Sequence, residues 1–181
     1  MRNLVSSVAL AAALVLPAAA CTAADGSSPP ASAQAPLTDA EIATIQQLCE
    51  TASIRYALAL DAKDPEALAQ AFSEDGVWEV LGSKMEGRDA IRKYWQTRTA
   101  DWAPDHGRLH SISNQAIDVI DRDHARGISK VVIYFFSTTE GNNKTLVPAL
   151  IAQNNDEYVR TAEGWKLSHR SIVRLANVGA Q

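Results

Sequence analysis

The sequence predicts an α+β domain in which helices cover one face of a curved antiparallel sheet. Helical patterns fill the first half of the folded part, and four long extended segments follow from about residue 108. Short connections rich in Asp, Asn and Gly join these segments. Strands joined in this way pair as antiparallel neighbours, and helices that precede such a run pack on one face of its sheet.

Residues 1–20 are typical of a signal peptide. Arg2 is followed by an apolar run from Leu4 to Leu16 and then by small residues up to Cys21. The run is too short to cross a bilayer as a mature helix. The sequence therefore predicts an exported protein from which these residues are removed.

Residues 21–36 have the composition of a flexible tether, because no large apolar side chain occurs before Leu37. Leu16–Cys21 resembles a bacterial lipobox, although Ala18 stands where that motif usually has leucine. Two outcomes stay open. Cys21 becomes the lipidated N-terminus of a periplasmic or cell-envelope lipoprotein, with the lipid as its one link to the membrane, or a signal peptidase cuts beside it and the protein is secreted.

The remaining residues, 37–178, have the length of one domain. A formal net charge of −4 without a basic cluster predicts no nucleic-acid partner. If Cys21 is consumed by processing, Cys49 has no second cysteine to pair with. Cys49 falls on an apolar helix face, which favours a buried, inert thiol over a nucleophile.

The first helix begins after Thr38, where Glu41 completes a capping box, and it runs to about Asp61. In its last two turns Ile54 and Leu58 form a second apolar line that leads to Asp61, so we expect the helix end to be apolar nearly all round. Asp61 then lies in or beside the interior, or it is a solvated acid of the following turn. The main apolar stripe, which should face the sheet, consists of Ile42, Ile45, Cys49, Ala52, Tyr56 and Ala59.

Two shorter helices and six extended segments complete the pattern. Asp64-Pro65-Glu66 starts a short helix that Glu74–Gly76 ends, and Arg88–Trp95 starts the third helix. Val77–Leu81 is a strand, with a short hairpin partner bounded by Gly82 and Gly87. The long strands are expected at residues 108–121, 125–139, 145–160 and 165–175.

Several short strings resemble the SnoaL-like proteins of the nuclear-transport-factor-2-like superfamily, and the resemblance covers about residues 37–178. It implies a cone-shaped, mixed sheet wrapped on three helices around a pocket. Relatives commonly pair through the open face of the sheet, so it also implies a homo-oligomer, either a dimer or a trimer. The strings that carry it are Tyr56–Asp61, Asp64, Phe72–Gly76, Gly87–Ile91 and Tyr158–Leu167.

Within that superfamily the pattern is similar to scytalone dehydratase and hexachlorocyclohexane dehydrochlorinase, which eliminate without a cofactor. The resemblance implies that Asp61 and His110 match their aspartate–histidine pair and that Arg170 matches a pocket arginine of the dehydrochlorinase. The sequence departs at Tyr134–Phe136, where scytalone dehydratase has a second histidine. This speaks against that dehydration and leaves a single-base mechanism open.

The resemblance and strand alternation disagree about the last strand. Alternation puts Arg170 on the opposite face from Trp165, toward solvent, and puts His169 on the inner face. The resemblance puts Arg170 in the pocket.

The inner faces of the strands supply a largely apolar lining with two polar points, which suits a small apolar or aromatic ligand. An equally simple interpretation makes these residues ordinary core. No sequence motif for a metal, a phosphate or another cofactor is present, so none is expected. The predicted lining consists of Tyr56, Trp78, Val80, Val131, Ile133, Phe135, Leu150 and Asn154.

Two functions remain open at this stage. The first is a cofactor-free lyase or isomerase in which Asp61 orients His110, the base, and Arg170 helps with a leaving group or anion. Histidine suits this role because its ordinary pKa lies near neutrality. The alternative is an exported ligand-binding or accessory protein that uses the same pocket without turnover.

Overall fold

The computed structural model describes residues 35–137 and 146–178. Within these ranges three helices pack on one six-stranded sheet, which confirms the predicted α+β class. The predicted signal peptide and Cys21 lie outside the described residues. The helices are α1 (Asp39–Asp61), α2 (Pro65–Gln70) and α3 (Arg88–Thr99), and the strands are β1 (Phe72–Val80), β2 (Ser83–Glu86), β3 (His106–Val119), β4 (His124–Ser137), β5 (Val147–Thr161) and β6 (Gly164–Asn177).

The sheet has the order β2-β1-β6-β5-β4-β3. Strands β3 to β6 are sequential antiparallel neighbours, as their short connections predict, whereas β1 lies parallel to β6. Leu81 and Gly82 join β1 to β2 with positive φ angles of 52° and 80°. A two-residue hairpin loop of this kind matches the twist of its strands.

Helix α1 has the predicted capping box, in which the Thr38 hydroxyl accepts from the Glu41 N–H and Glu41 accepts from the Thr38 N–H. The stripe from Ile45 to Ala59 is buried as expected. The expectation for the second apolar line is wrong, because Ile54 and Leu58 are 51% and 62% exposed. Since this side of α1 is exposed among the described residues, the burial of Asp61 has another cause.

Two of the segment bounds differ from those expected. Asp64 caps α2 by accepting from the N–H groups of Glu66 and Ala67, but α2 ends at Gln70. The chain then enters β1 at Phe72, five residues before the predicted strand start at Val77. Phe72 pairs with Leu167 of β6 across the sheet, and this long-range pairing overrides the local turn signal of Glu74–Gly76.

Register shifts interrupt the three long antiparallel pairings. One extra residue lies in β3 beside Asn114, whose φ is 47°, and others lie at Ala149 of β5 and at Ser168 and Leu175 of β6. A β-bulge bends its strand and increases the local twist. The bulges therefore curve the sheet around the helices and leave room between the two layers.

The core lies between α1, α3 and the concave face of the sheet. Tyr56 and Trp78 meet edge to face with their ring centroids 5.8 Å apart, and Trp78 meets Trp95 at 6.1 Å. Such aromatic pairs contribute about 0.5–1.5 kcal/mol beyond the area that they bury. These rings form the floor on which the cavity described below opens.

In the part of the chain that the structure describes, no helix combines the length and the apolar character needed to span a bilayer.

Candidate functional site

A cavity of about 690 Å³ opens between the concave face of the sheet and helices α1 and α3. This volume lies in the range of small-molecule sites. The curvature introduced by the bulges keeps the strands away from the helices here. All eight residues of the predicted lining are on its wall: Tyr56, Trp78, Val80, Val131, Ile133, Phe135, Leu150 and Asn154.

His110 lies on the same wall, and Asp61 holds it from behind. The Nδ1 atom of His110 is 2.6 Å from Oδ1 of Asp61. The backbone N–H of His110 also donates to both carboxylate oxygens, at 3.1 Å each. The carboxylate at the end of α1 thus fixes both the ring and the backbone of a residue 49 positions later in the chain.

The geometry determines which ring nitrogen of His110 carries the proton in its neutral form. A carboxylate can only accept, so Nδ1 donates its proton to Asp61 and Nε2 keeps its lone pair. The two side chains are 6% and 18% exposed, for His110 and Asp61 respectively. Their hydrogen bond is therefore shielded from water, and the free nitrogen belongs to the ring that lines the cavity.

Arg170 does not lie on the cavity wall. Its side chain is fully buried and forms a two-pronged ion pair with Asp156, with Nε–Oδ1 and Nη2–Oδ2 distances of 2.7 Å. Its Nη2 also donates to the Ser53 hydroxyl at 2.7 Å, and its guanidinium carbon lies 4.1 Å from the centroid of Tyr56. Arg170, which was expected to assist with a leaving group or anion, is therefore a core residue that packs against the ring of Tyr56.

The bulge at Ser168 explains why alternation was wrong for β6. Tyr158 pairs with Leu167 and Glu157 with His169, so one residue of β6 is left without a partner. Beyond it, the inner face belongs to Arg170 instead of His169. His169 accordingly faces away from the cavity, with Nε2 3.6 Å from Oε1 of Glu79.

Three arginines on the wall were not among the predicted site residues: Arg98 of α3, Arg108 of β3 and Arg174 of β6. Arg108 was predictable, since it stands two residues before His110 on one strand and must share its face. Arg174 was not, because the bulge at Ser168 decides its direction. Arg98 follows the buried Trp95 by three residues on α3, which is helical spacing.

Some polar atoms of the wall have no hydrogen-bond partner among the described residues. They include Nε1 of Trp95, Nε of Arg108 and Oδ1 of Asn154, although Nδ2 of Asn154 donates to Ser129. Buried polar atoms are normally paired, and unpaired ones require an explanation.

The electrostatics at one end of the cavity are positive. Burial and then the neighbouring Arg98 lower the pKa of Arg108 to about 10. Burial, followed by Arg108 and Lys63, also lowers the pKa of His106, which lies behind Phe135. Burial disfavours charge of either sign here, whereas the cations Arg98, Arg108 and Lys63 oppose added positive charge and attract a negative one.

Within residues 35–137 and 146–178, no group of three or more His, Cys, Asp or Glu side chains is arranged to hold a metal ion.

The model of a SnoaL-like domain family matches residues 40–171. The chain therefore belongs to the SnoaL-like family, and its fold is of the nuclear-transport-factor-2-like or cystatin-like kind. Among curated proteins, none matches the sequence significantly.

Solved structures with the same fold come from several bacteria. A proposed scytalone dehydratase from Novosphingobium aromaticivorans is 22% identical, with a TM-score of 0.64 over 80% of this chain and 94% of that one. A protein from Catenulispora acidiphila in complex with S-DNPA is 22% identical, with a TM-score of 0.60 over 73% and 94%. ActVI-ORFA from Streptomyces coelicolor is 16% identical, with a TM-score of 0.63 over 73% and 96%. At these identities the likeness concerns the fold.

Proposed function

We propose that this protein is an exported, cofactor-free lyase or isomerase that acts on a small apolar or aromatic molecule. His110 is the base and Asp61 is the residue that orients it. The observation that carries the proposal is the 2.6 Å contact between His110 Nδ1 and Asp61 Oδ1 at the wall of a 690 Å³ cavity. The likeness to a proposed scytalone dehydratase supports the same class of reaction.

The arrangement suits removal of a proton from carbon beside an activating group. Nε2 of His110 takes the proton. In an elimination, the electron pair of the C–H bond forms a double bond as the leaving group departs with its own bonding pair. In an isomerisation, the electron pair shifts along the substrate and His110 returns the proton to another carbon. Asp61 stabilises the imidazolium that forms, because the Nδ1–H bond to a carboxylate strengthens when the ring becomes positive. A positioned base of this kind contributes about 10²–10⁴-fold in rate.

The largely apolar wall supports the proposed ligand class. Val131, Ile133 and Leu150 offer aliphatic contacts, and Trp78 and Phe135 offer aromatic faces. Removing water from a base and its carboxylate also strengthens their interaction, since the local dielectric falls. Bound substrate would complete this exclusion, because the Asp61 and His110 side chains are already mostly buried.

A simple carbon acid tests the base without knowledge of the natural substrate. We expect the protein to catalyse exchange of the benzylic α-protons of 2-tetralone for deuterium in D₂O, followed by proton NMR. His110→Gln and Asp61→Asn should each lower the exchange rate by at least about 100-fold. The amide of Asn keeps the shape of Asp61, so circular dichroism should show an unchanged fold.

The chain offers a matched control in a second histidine–carboxylate pair, His124 and Asp121, which are 3.0 Å apart on the surface. Asp121→Asn should leave the exchange rate unchanged. Equal rates for the wild type and His110→Gln would refute the base. Binding of 2-tetralone without any exchange would favour the alternative, a ligand-binding protein without turnover.

A further inference from the structure

Arg108 is a half-buried cation that forms no ion pair among the described residues. Its Nε atom also has no hydrogen-bond partner among the described residues. Other arginines do form ion pairs with carboxylates, as Arg170 does with Asp156 and Arg88 with Glu163. Since a guanidinium carries five N–H donors in a planar fork, Arg108 retains most of its binding capacity.

Aromatic rings hold the Arg108 guanidinium in place. Its central carbon lies 4.0 Å from the ring centroid of Trp102, 5.2 Å from Phe135 and 5.5 Å from Trp95. Ring faces attract a cation but leave its N–H edge free, because the attraction acts through the quadrupole of the π system. Arg108 is thus positioned before any ligand arrives.

The charge of Arg108 is only partly compensated by its surroundings. Burial and Arg98 lower its pKa, and Lys63 adds a further cation 5.7 Å from the ring of Trp102. The acid that acts on Arg108 is Asp61, and both oxygens of that carboxylate are already bonded to His110. The site would gain from one more negative charge.

Arg108 also stands next to the proposed base. Arg108 and His110 are two residues apart on β3, so their side chains leave the same face of the strand roughly 7 Å apart along it. Trp95 lines the same wall as these two residues. A single small molecule can therefore present an acceptor to Arg108 and a C–H bond to His110.

We infer that the cavity binds an aromatic carboxylate, with the carboxylate on Arg108 and the ring among the apolar strands. This inference rests on the proposed function for its account of His110 and narrows the substrate from apolar or aromatic molecules in general to aromatic acids. Arg108 is then the residue that selects charge. The fork geometry of arginine matches a carboxylate with two parallel hydrogen bonds.

The test compares 2-naphthoate with its neutral analogue 2-naphthamide by isothermal titration calorimetry. We expect the wild type to bind 2-naphthoate at least tenfold more tightly than 2-naphthamide. Arg108→Gln should lower the affinity for 2-naphthoate at least tenfold and change the affinity for 2-naphthamide less than threefold. Arg108→Lys should lower the affinity for 2-naphthoate by an intermediate factor, because lysine keeps the charge but lacks the planar guanidinium. Retained binding of 2-naphthamide proves that the variant cavity is folded.

Arg126→Gln is the matched control, because Arg126 is an exposed arginine of β4 that does not line the cavity. It should change the affinity for 2-naphthoate less than threefold. The inference is overturned if the wild type does not bind 2-naphthoate more tightly than 2-naphthamide, and this result requires no variant. It is also overturned if Arg108→Gln keeps the preference for 2-naphthoate over 2-naphthamide.

The two hypotheses fail separately. The exchange assay uses neutral 2-tetralone, so it reports on His110 without Arg108, whereas 2-naphthoate has no proton for His110 to remove. Asp61→Asn should abolish exchange and still bind 2-naphthoate more tightly than 2-naphthamide. Loss of the preference in that variant would contradict the assignment of the carboxylate to Arg108.

Discussion

At the scale of single residues, the buried pair of Arg170 and Asp156 is the feature with the largest energetic consequence. Their side chains are 0% and 1% exposed, and the Tyr158 hydroxyl donates to the same carboxylate at 2.9 Å. Burial works against the charge of Arg170, but Asp156 reverses this and raises its pKa above the ordinary value. Each ion is therefore tolerated inside only because the other is present.

Asp156→Asn should destabilise the domain by about 3–5 kcal/mol, because it leaves a buried guanidinium without its counterion. Urea unfolding followed by tryptophan fluorescence measures the change. The control is Lys84→Met, which removes an ion pair with Glu86 whose side chains are 55% and 68% exposed, and it should leave the midpoint nearly unchanged. Equal effects of the two substitutions would mean that Arg170 finds another partner or water.

Cys49 is the residue whose chemistry burial suppresses most clearly. It is fully buried, and burial raises the pKa of its thiol to about 12, with smaller contributions from Asp156 and Glu50. A thiol reacts through its thiolate. In a Cys21→Ser background, we expect native protein at pH 8 to be inert to dithionitrobenzoate and to react only after urea unfolding; fast reaction in the native state would contradict the burial.

At the scale of elements, the N-terminus of α1 is tied to the β3–β4 turn through Glu41. Glu41 accepts from the Thr38 N–H at 2.8 Å and from Arg122. The Thr38 backbone bond, and then Arg122, lower the pKa of Glu41 from 4.5 to about 2. The capping box thus joins helix and sheet as well as closing the helix.

The stabilisation from Glu41 should depend on pH. Its folded pKa is below its unfolded one, so the contribution is fully present above about pH 4.5 and is lost as the pH falls toward 2. Glu41→Gln should lower the Tm at pH 7 and match the wild type near pH 2. Glu50→Gln, on the exposed face of the same helix, is the control at both pH values. A difference that persists at pH 2 would trace to packing instead of charge.

At the scale of the whole molecule, the cellular location of the protein and its oligomeric state are predictions from the sequence. Cys21→Ser should move the protein from the membrane fraction to the soluble fraction without changing the Tm, because Leu37 is the first of the described residues that packs on the core. Fractionation and mass spectrometry of the native N-terminus measure this. An unmodified N-terminus before Cys21 would exclude the lipoprotein. The predicted dimer or trimer is measurable by light scattering.

The sequence by itself determined the order of the elements and part of the cavity wall. Capping boxes, a proline at a helix start and strand alternation are set by residues close together in the chain, so they can be read without the fold. Strands β3 to β6 pair in the predicted order for the same reason, and all eight expected lining residues face the cavity.

The tertiary structure alone decided the contacts of Asp61, the direction of Arg170 and the isolation of Arg108. Ile54 and Leu58 suggested a buried helix end for the wrong reason, since Asp61 is covered by a strand 49 residues away. Arg170 faces inward because one unpaired residue of β6, Ser168, shifts the alternation. Bulges and ion pairs depend on which distant strands meet and in what register, and no pattern within a single segment carries that information.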